Sequence, residues 1–137
     1  DQPFVQICHG SPAMILAYAD FWPHMSDQQR QLMIQGGELT WHAGPLKKPW
    51  GLCHGTAGNG WTFLKLAQVT GDAKWLERTK AFAMTAIAQS DAMIEKHGNI
   101  RADFWCGDLG LAVYLKACLD NNDQLISLDY YITFLNG

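Results

Sequence analysis

Gly51-Leu52-Cys53-His54-Gly55-Thr56-Ala57-Gly58-Asn59-Gly60 is the stretch whose reading decides the fold. A partial copy, Cys8-His9-Gly10-Ser11-Pro12-Ala13, stands 45 residues earlier. A third, Trp105-Cys106-Gly107-Asp108-Leu109-Gly110, places its glycine 52 residues after Gly55. Gly10, Gly55 and Gly107 thus mark one point of a repeating unit, and a repeat has to be read before its single elements. After each glycine comes an apolar, helix-like run: Met14 to Trp22, Trp61 to Val69, and Leu111 to Leu119. Each run ends in a polar break: Pro23-His24-Met25-Ser26, Thr70-Gly71-Asp72, and Asp120-Asn121-Asn122-Asp123. A second helix is expected after each break. Ser26 with Gln29 has the form of a capping box, and Asp72 can cap the helix that follows it.

The two helices of each unit differ in character. The one after Asp72 carries Trp75, Leu76, Thr79, Phe82, Ala83, Ile87 and Met93 or Ile94 at spacings of three and four. That is an amphipathic helix with one buried face. In the first position, Ala112, Val113, Leu115, Ala117, Cys118 and Leu119 leave little polar surface, which implies burial on most sides. An inner apolar helix paired with an outer amphipathic one, repeated, describes an all-α chain of stacked αα-hairpins. No period-two alternation runs long enough to suggest a sheet. Gly44-Pro45, Pro49-Trp50-Gly51 and His97-Gly98-Asn99 break the helices and can place side chains at one end of the inner layer.

Composition narrows the function. The 137 residues suit one domain, and 48 % hydrophobic with 17 % charged residues argues against disorder. A net charge of −3 without a basic run makes nucleic acid a poor partner. No apolar stretch approaches the length of a membrane span. The amino end, Asp1-Gln2-Pro3-Phe4, has neither the form of a signal peptide nor an initiator methionine, as a truncated or processed start would not. Cys8, Cys53, Cys106 and Cys118 form an even set, which disulfides could use. The chain is not cysteine-dense, however, and its core needs no staples, so a reducing cytoplasm with thiols free for a metal is expected. Two thiols and an imidazole at one point of a repeat then suggest a zinc site at its centre. Three repeats are few for a ring that closes, so the chain is expected to belong to something larger.

Three stretches resemble the lanthionine synthetase C-like family, which includes the lantibiotic cyclases and their eukaryotic glutathione-binding relatives. They are Val5 to Pro12, Leu46 to Asn59 (Leu46-Lys47-Lys48-Pro49-Trp50-Gly51-Leu52-Cys53-His54-Gly55-Thr56-Ala57-Gly58-Asn59) and, more weakly, Phe104 to Gly110. The resemblance covers the carboxy-terminal part of the family pattern. It implies an α/α toroid, with residues 1–137 as a single domain of three consecutive hairpins from a longer ring. It also implies one Zn2+ in the central cavity, held by Cys8, Cys53 and His54, with a fourth position left to water or to a substrate thiol, the form of a catalytic zinc. The implied reaction is addition of that thiol to a dehydroamino acid in a peptide, giving a thioether. The thiol is a peptide cysteine in the cyclases and glutathione in some relatives. Lys48 matches a lysine that lies near the thiol substrate, and Arg101 is a second candidate for binding an anionic substrate. Ile7 stands where the family usually has an aromatic residue, Pro12-Ala13 replaces Pro-Gly, and Trp105-Cys106-Gly107 replaces Phe-Glu-Gly. The family's acid/base histidine and aspartate come from earlier repeats, so the catalytic acid and base are unassigned here.

Other readings stand beside these. Cys106 occupies the His54 slot of its repeat and can line the cavity, complete a ligand set, or pack as a core thiol. Cys118 belongs to the core. His9 is a cavity or supporting residue. His24, His42 and His97 fall near helix ends, where they meet carbonyls. Tryptophans are core by default, although Trp50 and Trp105 flank motif loops and could wall the cavity. The alternative function is a non-catalytic zinc- or glutathione-binding module. A carbohydrate-active toroid ranks third, because it needs paired carboxylates and only Asp103 and Asp108 lie near a motif loop. A partial ring also leaves unpacked faces, so the isolated chain is expected to associate or to be unstable unless missing repeats or a partner cover them.

Overall fold

The computed structural model describes residues 4–47 and 50–121. A two-residue antiparallel pair opens it, β1 (Val5–Gln6) with β2 (His9–Gly10), in the register Val5 to Gly10 and Gln6 to His9. Helices follow: α1 (Ser11–Tyr18), a 3-10 segment (Ala19–His24), α2 (Asp27–Ala43), α3 (Thr56–Thr70), α4 (Ala73–His97) and α5 (Asp108–Asp120). The all-α architecture of hairpins holds: α1 packs on α2, and α3 on α4. The second helix expected after Asp123 lies outside the described residues.

Local signals end and start these helices as their chemistry requires. The Ser26 hydroxyl accepts from the Gln29 N–H at 3.3 Å, and the Ser26 N–H donates to Gln29 Oε1 at 2.8 Å, completing the capping box. Asp72 Oδ1 accepts from the Lys74 N–H at 3.0 Å. Expectation and structure part at the first inner helix, which stops at Tyr18 rather than running to Trp22. Pro23 cannot continue an α ladder, and the chain tightens into the 3-10 segment. Arg30 Nε donates to the Trp22 carbonyl at 3.1 Å. Asp20, on the same segment, pairs with Lys65 of α3.

Helix α3 is the axis of the molecule. Every residue from Thr56 to Leu66 is buried. One side of it, with Ala57, Trp61 and Leu64, packs with Trp50, Leu52, Ala83, Ala86, Leu111, Tyr114 and Ala117. The other, with Phe63 and Leu66, packs with Ile15, Ala19, Trp75 and Phe82. Of the expected stripe on helix α4, Trp75, Thr79, Phe82 and Ala83 are buried, Leu76, Ile87 and Ile94 are half-buried and Met93 is exposed, while Ala86 and Ser90 are buried in addition. Burial of every inner helix on most sides holds for α3 but not for α5. There Leu109 and Leu119 are exposed, although α5 packs against α3 and α4 and its Leu111, Tyr114 and Ala117 join the cluster with Trp50 and Leu52. At the opposite end, Met14, Tyr18 and Phe21 are exposed too.

Candidate metal centre

The short β pair sets the first thiol. Gly10 takes φ +116°, and a Cβ there would stand 1.8 Å from the Phe4 carbonyl oxygen, so only glycine closes this hairpin. Ile7 and Cys8 form its tip. The second loop, Trp50 to Gly55, is anchored by the helix it feeds. The Ala57 N–H donates to the Trp50 carbonyl at 3.0 Å. Gly58 lets the loop lie on α3, since a Cβ there would be 1.9 Å from the Leu52 carbonyl oxygen and 2.8 Å from Ile7 Cδ1.

Equivalent points of the three repeats are joined by backbone. The Cys8 N–H donates to the Cys53 carbonyl at 3.0 Å, and the Cys53 N–H donates to the Trp105 carbonyl at 2.8 Å. Side chains reinforce this ladder. Buried Asn59 donates from Nδ2 to the Val5 carbonyl at 2.7 Å. Thr56 donates to Gln89 Oε1 at 2.6 Å, and Gln89 Nε2 donates to the Leu46 carbonyl at 2.8 Å. Asn59 and Gln89 are the supporting residues that sequence reasoning missed. A polar residue inside an apolar helix start was the available signal for Asn59; nothing local marked Gln89.

Cys8, Cys53 and His54 come together: two thiol sulfurs and an imidazole nitrogen lie within 4.8 Å of one another. Cys8 is exposed, and Cys53 and His54 are half-buried, so the group opens to solvent on one side. Burial, followed by the neighbouring Cys8 thiol, pushes Cys53 up to about 11. Among the described residues this group has three members. Cys106 stays outside it, partly buried, with its N–H donating to Asp103 Oδ1 at 2.6 Å. Cys118 is partly buried against the α3–α5 core, and burial raises it to about 11.

The remaining candidates divide. Lys48 lies outside the described residues. Arg101 is exposed, and the hydrogen bonds described at it are made by its backbone: its N–H donates to Asp108 Oδ2 at 2.6 Å, and its carbonyl accepts from Asp103 and Asp108. Asp108 also accepts from the Ser90 hydroxyl. Asp103 and Asp108 are therefore engaged in holding the third loop, which weakens the carbohydrate reading. His42 meets a carbonyl as expected, with Nδ1 2.7 Å from the Glu38 oxygen. Trp50 is buried, whereas Trp105 is 54 % exposed beside the motif loops. No helix among the described residues is long and apolar enough to cross a membrane.

A family model described as lanthionine synthetase C-like protein matches residues 3–128. The chain is similar to "Glutathione S-transferase LANCL1" of Danio rerio, 42 % identical over 80 residues, which covers 58 % of this chain and 20 % of that protein. It is also similar to "LanC-like protein GCL1" of Arabidopsis thaliana, 42 % identical over 82 residues, covering 58 % and 18 %. These matches span about a fifth of the length of either relative.

Proposed function

Because this chain belongs to the lanthionine synthetase C-like family, we propose that Cys8, Cys53 and His54 bind zinc. We further propose that the site serves the addition of a thiol to a dehydroamino acid in a peptide. The observation that carries this reading is the close, one-sided S, S, N group. Around a tetrahedral zinc with bonds of about 2.0 to 2.3 Å, ligand atoms lie about 3.5 to 3.8 Å apart. The group observed, within 4.8 Å, needs only a small contraction. Thiolate and imidazole donors suit that metal, and three protein ligands with an open side match a catalytic rather than a structural site.

Zinc held there would supply Lewis acidity that favours the thiolate form of an incoming thiol. In the addition, a bond forms between sulfur and the β-carbon, the π pair moves to the α-carbon, and the α-carbon takes a proton; no oxidant is needed. The chain's own part is to hold and orient. The backbone ladder from Cys8 to Cys53 to Trp105 keeps the ligands in register, and Asn59 and the Thr56–Gln89 pair fix the loops that carry them. The Danio relative's name, glutathione S-transferase, fits a small thiol as partner. We further take residues 1–137 as three hairpins of a longer ring. The bare apolar side chains on α1 and α5 support this, since preceding repeats or a partner would cover them. Four free thiols support a reducing, cytoplasmic setting.

One observation favours the rival reading, a zinc- or glutathione-binding module without catalysis. The acids nearest the motif loops, Asp103 and Asp108, are occupied by hydrogen bonds, which leaves no evident acid/base pair among the described residues. The test begins with elemental analysis of wild type and Cys53→Ala. About one zinc per chain, lost in the variant, is expected; a folded wild type without zinc overturns zinc-dependent thiol addition and leaves only a module that binds glutathione without metal. Mass spectrometry with glutathione and a dehydroalanine peptide then separates them. A thioether adduct supports catalysis, and zinc without adduct supports the module.

A further inference from the structure

A cavity of about 300 Å³ lies between α1 and α3 and takes no part in holding a metal. Buried Trp61 and Leu52 form its deep side. Ala13, Leu16 and Ala17 of α1 make one wall, and Ile7 and Trp105 complete it. None of these side chains carries a charge, and the indole N–H groups are their only hydrogen-bonding atoms. The cavity abuts the proposed zinc group through the chain itself. Ile7 and Leu52 directly precede Cys8 and Cys53, and the Trp105 carbonyl holds the Cys53 N–H at 2.8 Å.

Chemistry decides what belongs there. Glutathione brings two carboxylates and an ammonium, and burying such charges against this lining is costly without partners. An apolar side chain meets no such cost. The volume is at the low end for small-molecule sites, which suits one side chain with its backbone outside. Consecutive Cα atoms are about 3.8 Å apart, so a peptide reacting at the Cys8–Cys53–His54 group would place a near neighbour of its reacting residue at the cavity mouth. We infer that this cavity is a specificity pocket for the electrophilic peptide, taking the apolar side chain of a residue within two positions of the dehydroamino acid. The inference rests on the thiol-addition reading and names the half of the substrate that it left open.

The experiment uses blocked pentapeptides without a dehydroamino acid, so that binding is read apart from reaction. Their central residue is Phe, Ala or Asp. Methyl NMR of the full chain follows Ile7, Leu16 and Leu52. Saturable shifts at those methyls are expected with the Phe peptide, at least tenfold tighter than with the Ala peptide, and none with Asp. Ala17→Trp, a filling change at an exposed position, should abolish the preference, and Ala17→Glu serves if the larger side chain disturbs folding. Equal affinity for Phe and Ala, or a preference that survives both variants, overturns the pocket. The same series with dehydroalanine beside the varied residue separates the two readings. Addition at equal rates for all flanks overturns the pocket and leaves thiol addition standing. Phe-selective binding without adduct, retained in Cys53→Ser, supports the pocket and removes the thiol-addition reading.

Discussion

Replacing Gly58 by alanine tests whether the metal centre depends on how closely α3 meets the loop. Two effects oppose each other. Alanine favours the helix by about 1 kcal/mol over glycine. Its Cβ, however, would stand 1.9 Å from the Leu52 carbonyl oxygen and 2.8 Å from Ile7 Cδ1. Reaching an ordinary 3.4 Å contact requires the Leu52 backbone to move by about 1.5 Å. Overpacking of this kind costs about 1 to 3 kcal/mol, so net stability should fall by no more than about 2 kcal/mol. The site should suffer more. Leu52 and Ile7 are bonded to Cys53 and Cys8, and metal–ligand bond lengths must hold to within about 0.2 Å, which side-chain rotation can restore from the native loop but not after a backbone shift several times larger. Zinc affinity, measured by competition with a chromophoric chelator, should drop by about a hundredfold or more. Gly60→Ala is the control, one half-turn along the same helix. Its Cβ would strike the Tyr114 hydroxyl at 2.0 Å, between helices rather than at a motif loop. It should lower the unfolding midpoint and leave zinc affinity within about threefold. Wild-type affinity in Gly58→Ala, or an equal loss in Gly60→Ala, would refute the argument that loop contact sets the ligands.

Two further outcomes follow from single groups. In the metal-free protein Cys53 is held at about 11 rather than 9.0, chiefly by burial. Its thiolate fraction at pH 8 is then about a hundredfold below that of an unperturbed thiol, and alkylation should be slower in proportion. With the sign worked out, protonated Cys53 favours the folded state fully below pH 9, and that contribution is lost as pH rises toward 11. Iodoacetamide labelling at Cys53 as fast as in a short peptide would contradict this. The Tyr114 hydroxyl, fully buried, donates to the Thr79 carbonyl at 2.8 Å. Tyr114→Phe should cost about 1 kcal/mol and leave zinc content unchanged; thermal unfolding showing no change would mean the hydroxyl has no net role.

Loss of Asn59 or Gln89 would act on the site without touching it, because both hold backbone carbonyls of the loops rather than any ligand atom. That is why neither was legible as a functional residue. Their partners, Val5 and Leu46, lie 54 and 43 residues away, beyond any local pattern. The same holds for the cavity beside the cluster, whose walls come from two of the three inner helices, α1 and α3, and from all three motif loops.

What the sequence determined by itself is the set of elements and the kind of chemistry. Helical spacing, the Ser26–Gln29 box and the Asp72 cap act over three or four residues, so a linear reading finds them. The recurring Cys-His-Gly stretch likewise announces metal ligands at one point of a repeat. The tertiary structure alone decided which groups meet. Cys8 and Cys53 are 45 residues apart in the chain, yet their sulfurs belong to one group because hairpin stacking joins their backbones at 3.0 Å. It also decided that α1 yields to a 3-10 segment at Ala19, and that Cys106, alike in sequence, stays outside the group. Periodicity and caps are local physics; ligand convergence depends on the rigid placement of one hairpin on the next.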